Sequence, residues 1–237
     1  MKKILLSIAI LLGLGSVAPT AVAQNLVPIP LKMQTTSGKP LVWLNVSSIE
    51  CPTTLLNEKE HLTRILKERA GITQLNENGT AKITLSINNS LDDDEAYTLS
   101  VNENGVNIEG KTAAGVFYGI MTLEQLMIDN QASARCIETN AIEIEDTPRT
   151  HVRELMVDPC RIFVPYERLK ELVPEMARYK LNSIHLHLVD DQAWRIEIKK
   201  YPELITKSSS RVGMDDMQLP ISGYYTQEQM KDFVKYC

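Results

Sequence analysis

The sequence predicts an α/β protein in which a small α+β domain over 24–147 precedes the first two βα units of a TIM (β/α)8 barrel, from 148 to 237. Three observations carry that reading. Residues 152–157, 166–180 and 184–189 read as strand, helix and strand, a βαβ unit that closes right-handed into a parallel sheet. Upstream, 97–101 and 106–109 read as a hairpin turned by Asn104 and Gly105, residue types that tolerate positive φ. Finally, the apolar run 184–189 ends in Asp190 and Asp191, and barrel enzymes assemble their sites at the C-terminal ends of such strands. A complete barrel takes about 250 residues. Only the first units of an unfinished barrel are therefore expected after Arg149.

Lys2 and Lys3, an apolar core over 4–14, and Ala21, Val22 and Ala23 before Gln24 form a signal-peptide pattern over 1–23. An exported protein, periplasmic or extracellular, is expected. No later apolar run approaches the roughly 20 residues that span a bilayer. The net charge of −5 gives no basic face for nucleic acid. Cys51, Cys136, Cys160 and Cys237 show no CxxC pair, and spacing alone selects no disulfide pairing. They are expected mostly as buried free thiols.

Within the first unit, 41–46, 83–87 and 141–145 read as strands. Residues 58–70 read as a helix, with Leu62, Ile65, Leu66 and Arg69 at helical spacing and Gly71 as its stop. The acidic run 92–95 lacks the glycine and terminal Glu of a calcium loop and reads as a solvated turn. A helix over 113–127 places Val116, Ile120, Leu123 and Met127 on one face, with Phe117 and Tyr118 as core. Residues 146–149 mark the boundary.

In the second unit, Leu169, Leu172, Val173 and Met176 face inward from a helix that contains Pro174. Thr226 and Gln229 form a capping box that opens a last helix, with Met230, Phe233, Val234 and Cys237 on its buried face.

Three features could carry chemistry. Arg153 lies near a strand start, where spacing alone suggests a peripheral ion pair. His185 and His187 share a strand face, but a metal site needs further ligands, and His61 and His151 lie elsewhere. Asp190 and Asp191 diverge as neighbours, so they suit hydroxyl binding or loop support better than a carboxyl pair flanking a glycosidic bond.

Arg153-Glu154-Leu155-Met156-Val157-Asp158 with Arg161, then Lys180-Leu181-Asn182, resemble the family 20 glycoside hydrolases, the β-N-acetylhexosaminidases. So do His185-Leu186-His187-Leu188-Val189-Asp190-Asp191-Gln192 and Trp194-Arg195-Ile196-Glu197. Tyr97-Thr98-Leu99 and Gly115-Val116-Phe117-Tyr118-Gly119 resemble the domain that precedes their barrel. Departures are Glu154 in place of Gly, Leu186 in place of Trp, and Pro159-Cys160 in place of a small pair.

The resemblance implies substrate-binding roles for Arg153, Asp190 and Asp191. It also implies glycans ending in N-acetylglucosamine or N-acetylgalactosamine as partners, no metal or organic cofactor, and retaining hydrolysis assisted by the substrate's acetamido group. The general-acid Glu and its Asp partner are expected beyond Cys237, so this chain is expected to be inactive alone. Two other readings stand beside it: a non-catalytic sugar-binding or assembly module, and a metal-dependent hydrolase using His185 and His187.

Overall fold

Alternating apolar residues build the first layer. The computed structural model describes residues 25–129, 135–210 and 222–237, so the signal-peptide pattern lies outside the described residues. A six-stranded sheet is formed from β1 (Lys32–Thr35), β3 (Val46–Glu50), β4 (Ala81–Ile87), β5 (Tyr97–Asn102), β6 (Gly105–Gly110) and β8 (Ile142–Asp146), in the order β1-β8-β5-β6-β4-β3. Tyr97, Leu99 and Val101 of β5 alternate with half-buried neighbours, so one face of the sheet is apolar. That face is covered by α2 (Ala113–Asp129), whose Val116, Ile120, Leu123 and Met127 are fully buried. The helix α1 (Leu56–Ile65) packs beside it and continues as a π-helical turn, Leu66–Ala70, before Gly71 stops it at φ 72°.

Two local expectations change. Residues 41–46 are not one strand: β2 (Leu41–Val42) pairs with β7 (Glu138–Thr139), and a 3-10 turn, Trp43–Asn45, leads into β3. Burial of the Trp43 indole, whose Nε1 donates to Thr139 Oγ1 at 2.9 Å, sets that turn. In the hairpin, Asn102 pairs with Gly105, so Glu103 and Asn104 are the turn residues, and neither takes a positive φ. Gly105 does take a positive φ, 139°, as expected, and it is required for a second reason as well. A Cβ there would fall 1.7 Å from the Lys82 carbonyl oxygen of β4.

The second layer is the βαβ unit. The strands β9 (Glu154–Val157) and β10 (Ser183–Leu186) pair in parallel, joined by α3 (Tyr166–Arg178). Leu169 of α3 is buried, with Leu172 and Val173 partly so. A small hairpin, β11 (Val189–Asp190) with β12 (Ala193–Trp194), follows, then α4 (Glu203–Ser208) and α5 (Gln227–Tyr236). The capping box is present: Gln229 N–H donates to Thr226 Oγ1, and Thr226 N–H to Gln229 Oε1. The buried stripe of α5 is narrower than expected. Phe233 is buried and Met230 packs against the same cluster as Leu169 and Tyr225, but Val234 is 73% exposed and Cys237 is exposed, because the apolar contact is made by positions 230 and 233. All four cysteines are free thiols; Cys136 and Cys160 are buried, Cys51 is half-buried and Cys237 is exposed. Among the described residues no helix is long and apolar enough to cross a membrane.

Buried polar bonds lock the two layers together. Lys180, in the left-handed region at φ 60°, sends its ammonium between Tyr97 Oη (2.8 Å) and Asp146 Oδ2 (2.9 Å). Burial pulls the Lys180 pKa down, and the Asp146 charge offsets only part of that. Gln125 of α2 bridges the Val27 and Arg178 carbonyls. Replacing one member of a buried pair strands the other charge. Lys180→Met should therefore lower stability by about 3–5 kcal/mol in urea unfolding of the 237-residue chain. A loss below about 1 kcal/mol would mean that the pair behaves as a surface bridge.

Candidate functional site

Parallel pairing brings the C-terminal ends of β9 and β10 to the same edge, and charged side chains converge just beyond them. Asp158 follows β9 directly. Three residues on, Arg161 turns back, its N–H donating to Asp158 Oδ1 (3.0 Å) and its Nη1 to Asp158 Oδ2 (2.6 Å). Its Nη2 reaches across to Asp190 Oδ2 at 2.8 Å. On the other side of Asp190, His187 Nε2 lies 2.9 Å from the same oxygen, and the Asp191 N–H donates to Oδ1 at 2.7 Å. The Arg161 side chain is half exposed, so the cluster faces solvent and is open to a ligand.

The electrostatics follow from these contacts. For Asp158 the burial penalty pushes the pKa up, but the hydrogen bonds from the Arg161 side chain and backbone, with its charge, bring it below the ordinary carboxylate value. Asp190 is also held low, first by the Asp191 backbone N–H, then by His187, with the Arg161 charge adding to both. Both are therefore carboxylates at neutral pH, ready to accept hydrogen bonds.

The three residues expected to bind substrate fall in three different places. Asp190 sits in the cluster. Asp191 occupies the exposed turn of the β11–β12 hairpin and contributes its backbone N–H. Arg153 is not brought to Asp190. It precedes β9, at the opposite end of the strand pair, where Glu95 (2.8 Å), Tyr118 Oη (2.9 Å) and the carbonyls of Lys180 and Thr150 take up its guanidinium. That position makes it part of the lock between the layers, in keeping with an ion-pair role rather than a ligand role. Glu95, from the acidic run 92–95, is its partner and not a solvated turn residue; the Arg153 bonds outweigh the burial penalty and hold its carboxyl low.

The two strand histidines part company. His185 approaches Glu154 at 3.4 Å, whereas His187 turns to Asp190. Among the described residues, the group of possible metal donors that does converge is Asp93, Glu95 and His151, at the Arg153 end. The Glu95 carboxylate there is already engaged by Arg153.

Two residues of the site were not singled out from the sequence. Arg161 lies past the end of a barrel strand, where site residues are drawn from, and Arg153 lies before its start. That positional rule would have preferred Arg161. Arg195 is fully buried behind the cluster, and its polar side chain gave no sequence signal of burial.

Comparison with known proteins bears on this site. Residues 23–147 match the model of glycosyl hydrolase family 20, domain 2, and residues 151–237 match that of its catalytic domain. A β-hexosaminidase of Porphyromonas gingivalis is 44% identical over 147 residues, which cover 60% of this chain and 19% of that protein. Among solved structures, a Streptomyces plicatus N-acetyl-β-hexosaminidase superposes with a TM-score of 0.75 at 32% identity, over 90% of this chain and 43% of that one. A Vibrio harveyi exo-β-N-acetylglucosaminidase in complex with N-acetylglucosamine superposes with a TM-score of 0.75 at 28% identity, over 90% and 34%. The matched region thus spans less than half the length of each. With the sheet domain, the parallel strands and the acid–arginine cluster at their ends all accounted for, the chain belongs to glycosyl hydrolase family 20.

Proposed function

We propose that this chain supplies sugar-binding groups to a β-N-acetylhexosaminidase, an enzyme that removes terminal non-reducing N-acetylhexosamine from glycans. The observation that carries the proposal is Arg161 held between Asp158 and Asp190 at the C-terminal ends of β9 and β10. A guanidinium donates and a carboxylate accepts, so together they can grip neighbouring ring hydroxyls from both sides. In this reading Asp190 keeps the hydroxyl-binding role expected of it. Arg161 takes the role expected of Arg153, and Asp191 shapes the loop by its backbone.

The same electrostatics separate binding from proton transfer. A general acid must hold its proton near neutral pH, which requires a raised pKa. Asp158 and Asp190 are both lowered. The cluster therefore orients the sugar and does not protonate the leaving oxygen. In the substrate-assisted scheme the acetamido oxygen attacks the anomeric carbon while a separate Glu protonates the glycosidic oxygen and an Asp orients the acetamido group. Those two acids are not members of this cluster. Export of the protein, by the leader pattern at 1–23, is part of the proposal.

Calorimetry should detect N-acetylglucosamine binding to the 237-residue chain, and Arg161→Gln should weaken it by roughly 1.5–3 kcal/mol, the range for a charge-assisted hydrogen bond. Equal affinity in the variant would overturn the assignment. Because the folded-state pKa values of both acids are depressed, binding should be complete above the ordinary carboxylate value of about 3.9. It should be lost only as the pH falls through the lower folded-state values. The same chain should release no 4-nitrophenol from 4-nitrophenyl N-acetyl-β-D-glucosaminide; measurable release would place a general acid among its residues. N-terminal sequencing of the exported protein should begin at Gln24.

A further inference from the structure

We propose that Arg195 is the positioning residue for Arg161: its buried guanidinium fixes the Pro159–Cys160 turn and so sets where Arg161 meets Asp158 and Asp190. In its functional consequence the inference rests on the sugar-binding reading of that cluster.

Arg195 is fully buried. Its Nε donates to Pro159 O at 2.9 Å and its Nη2 to Cys160 O at 3.1 Å, so two arms of the fork grip the two residues that immediately precede Arg161. The remaining arm, Nη1, donates to Ser209 O (2.6 Å) and Gly223 O (3.0 Å). The main chain of Arg195 is tied as well, to Leu188 O and to the Tyr225 N–H. The guanidinium also lies 5.7 Å from the Phe163 ring centroid, two residues past Arg161. One side chain thus spans the loop after β9, the loop after β10 and the approach to α5.

Burying a guanidinium is costly unless its donors are satisfied, and here they are spent on backbone carbonyls, so the arrangement fixes main-chain geometry. Cys160 clamps the same turn from its other side. Its N–H donates to His187 O and its Sγ to Ala193 O, both at 3.1 Å. Between the two clamps the backbone entering Arg161 has little freedom. The half-exposed Arg161 side chain would otherwise wander, since a long exposed side chain loses rotamer entropy when held. A lysine at 195 offers one compact ammonium with three donors in place of the planar fork, so it cannot serve the Pro159, Cys160, Ser209 and Gly223 carbonyls together.

The test follows the Asp158 and Asp190 carboxyl carbons by NMR titration in the full 237-residue chain, with thermal unfolding as the folding control. In Arg195→Lys the Asp158 titration should move up toward the ordinary value, and affinity for N-acetylglucosamine should fall by about tenfold. In an Arg161→Gln background the same substitution should cause no further loss of affinity, because the effect runs through Arg161. A folded Arg195→Lys chain with Asp158 unmoved overturns the proposal. Cys160→Ala removes the Sγ bond of the opposite clamp, leaves its N–H on His187 O and keeps Arg195, so Asp158 should stay low; a rise there would transfer the positioning role to the Cys160 side chain and overturn the proposal even if Arg195→Lys does not fold. If Asp158 shifts as expected but the native chain does not bind N-acetylglucosamine, the positioning role stands and the sugar-binding reading falls.

Discussion

Parallel pairing of β9 with β10 is the constraint from which the site follows. Antiparallel strands would have placed Asp158 and Asp190 at opposite ends. Parallel strands joined through α3 deliver both acids to one edge, where a single guanidinium can bridge them. The same polarity puts Arg153 at the other end. Two arginines eight positions apart in sequence thus acquire opposite surroundings: one faces the sheet domain, the other faces solvent.

A two-stranded parallel sheet has little core of its own, and its stability is borrowed from the layer beneath it. The Lys180–Asp146–Tyr97 and Arg153–Glu95–Tyr118 bonds cross that boundary. They are buried or partly buried and satisfied, which favours one docking geometry over others. The sheet domain supplies Asp146, Tyr97, Glu95 and Tyr118 to that boundary. Its contribution is to hold the starts of β9 and β10 so that their ends are fixed in space.

Much of the fold was legible because its signals are local and periodic. Strand alternation in β5, the helical stripe of α2, the stop at Gly71 and the capping box at Thr226 all depend on neighbours within a few residues. The failures were of a different kind. Trp43 broke a predicted strand because its indole is satisfied by Thr139, nearly a hundred residues away, and Gly105 answers to the approach of β4 as well as to its own positive φ. In the site, Asp190 was legible as an acid closing an apolar run, although that run is not one strand: β10 stops at Leu186 and Asp190 closes β11. Arg153 drew attention through family resemblance, whereas which end of the strand an arginine occupies decides what it can touch. Arg195 was hidden because its partners are backbone carbonyls, which leave no trace in side-chain chemistry.

The bond between Arg161 and its two acids has a thermodynamic consequence. The groups that would meet a sugar are already held by one another, by the Asp191 amide and by the turn behind them. In the proposed sugar-binding role, an arriving hydroxyl would exchange places with water on donors and acceptors already in position and need not gather mobile side chains. Most of the ordering entropy has been lost at the folding step, leaving little to be lost on association.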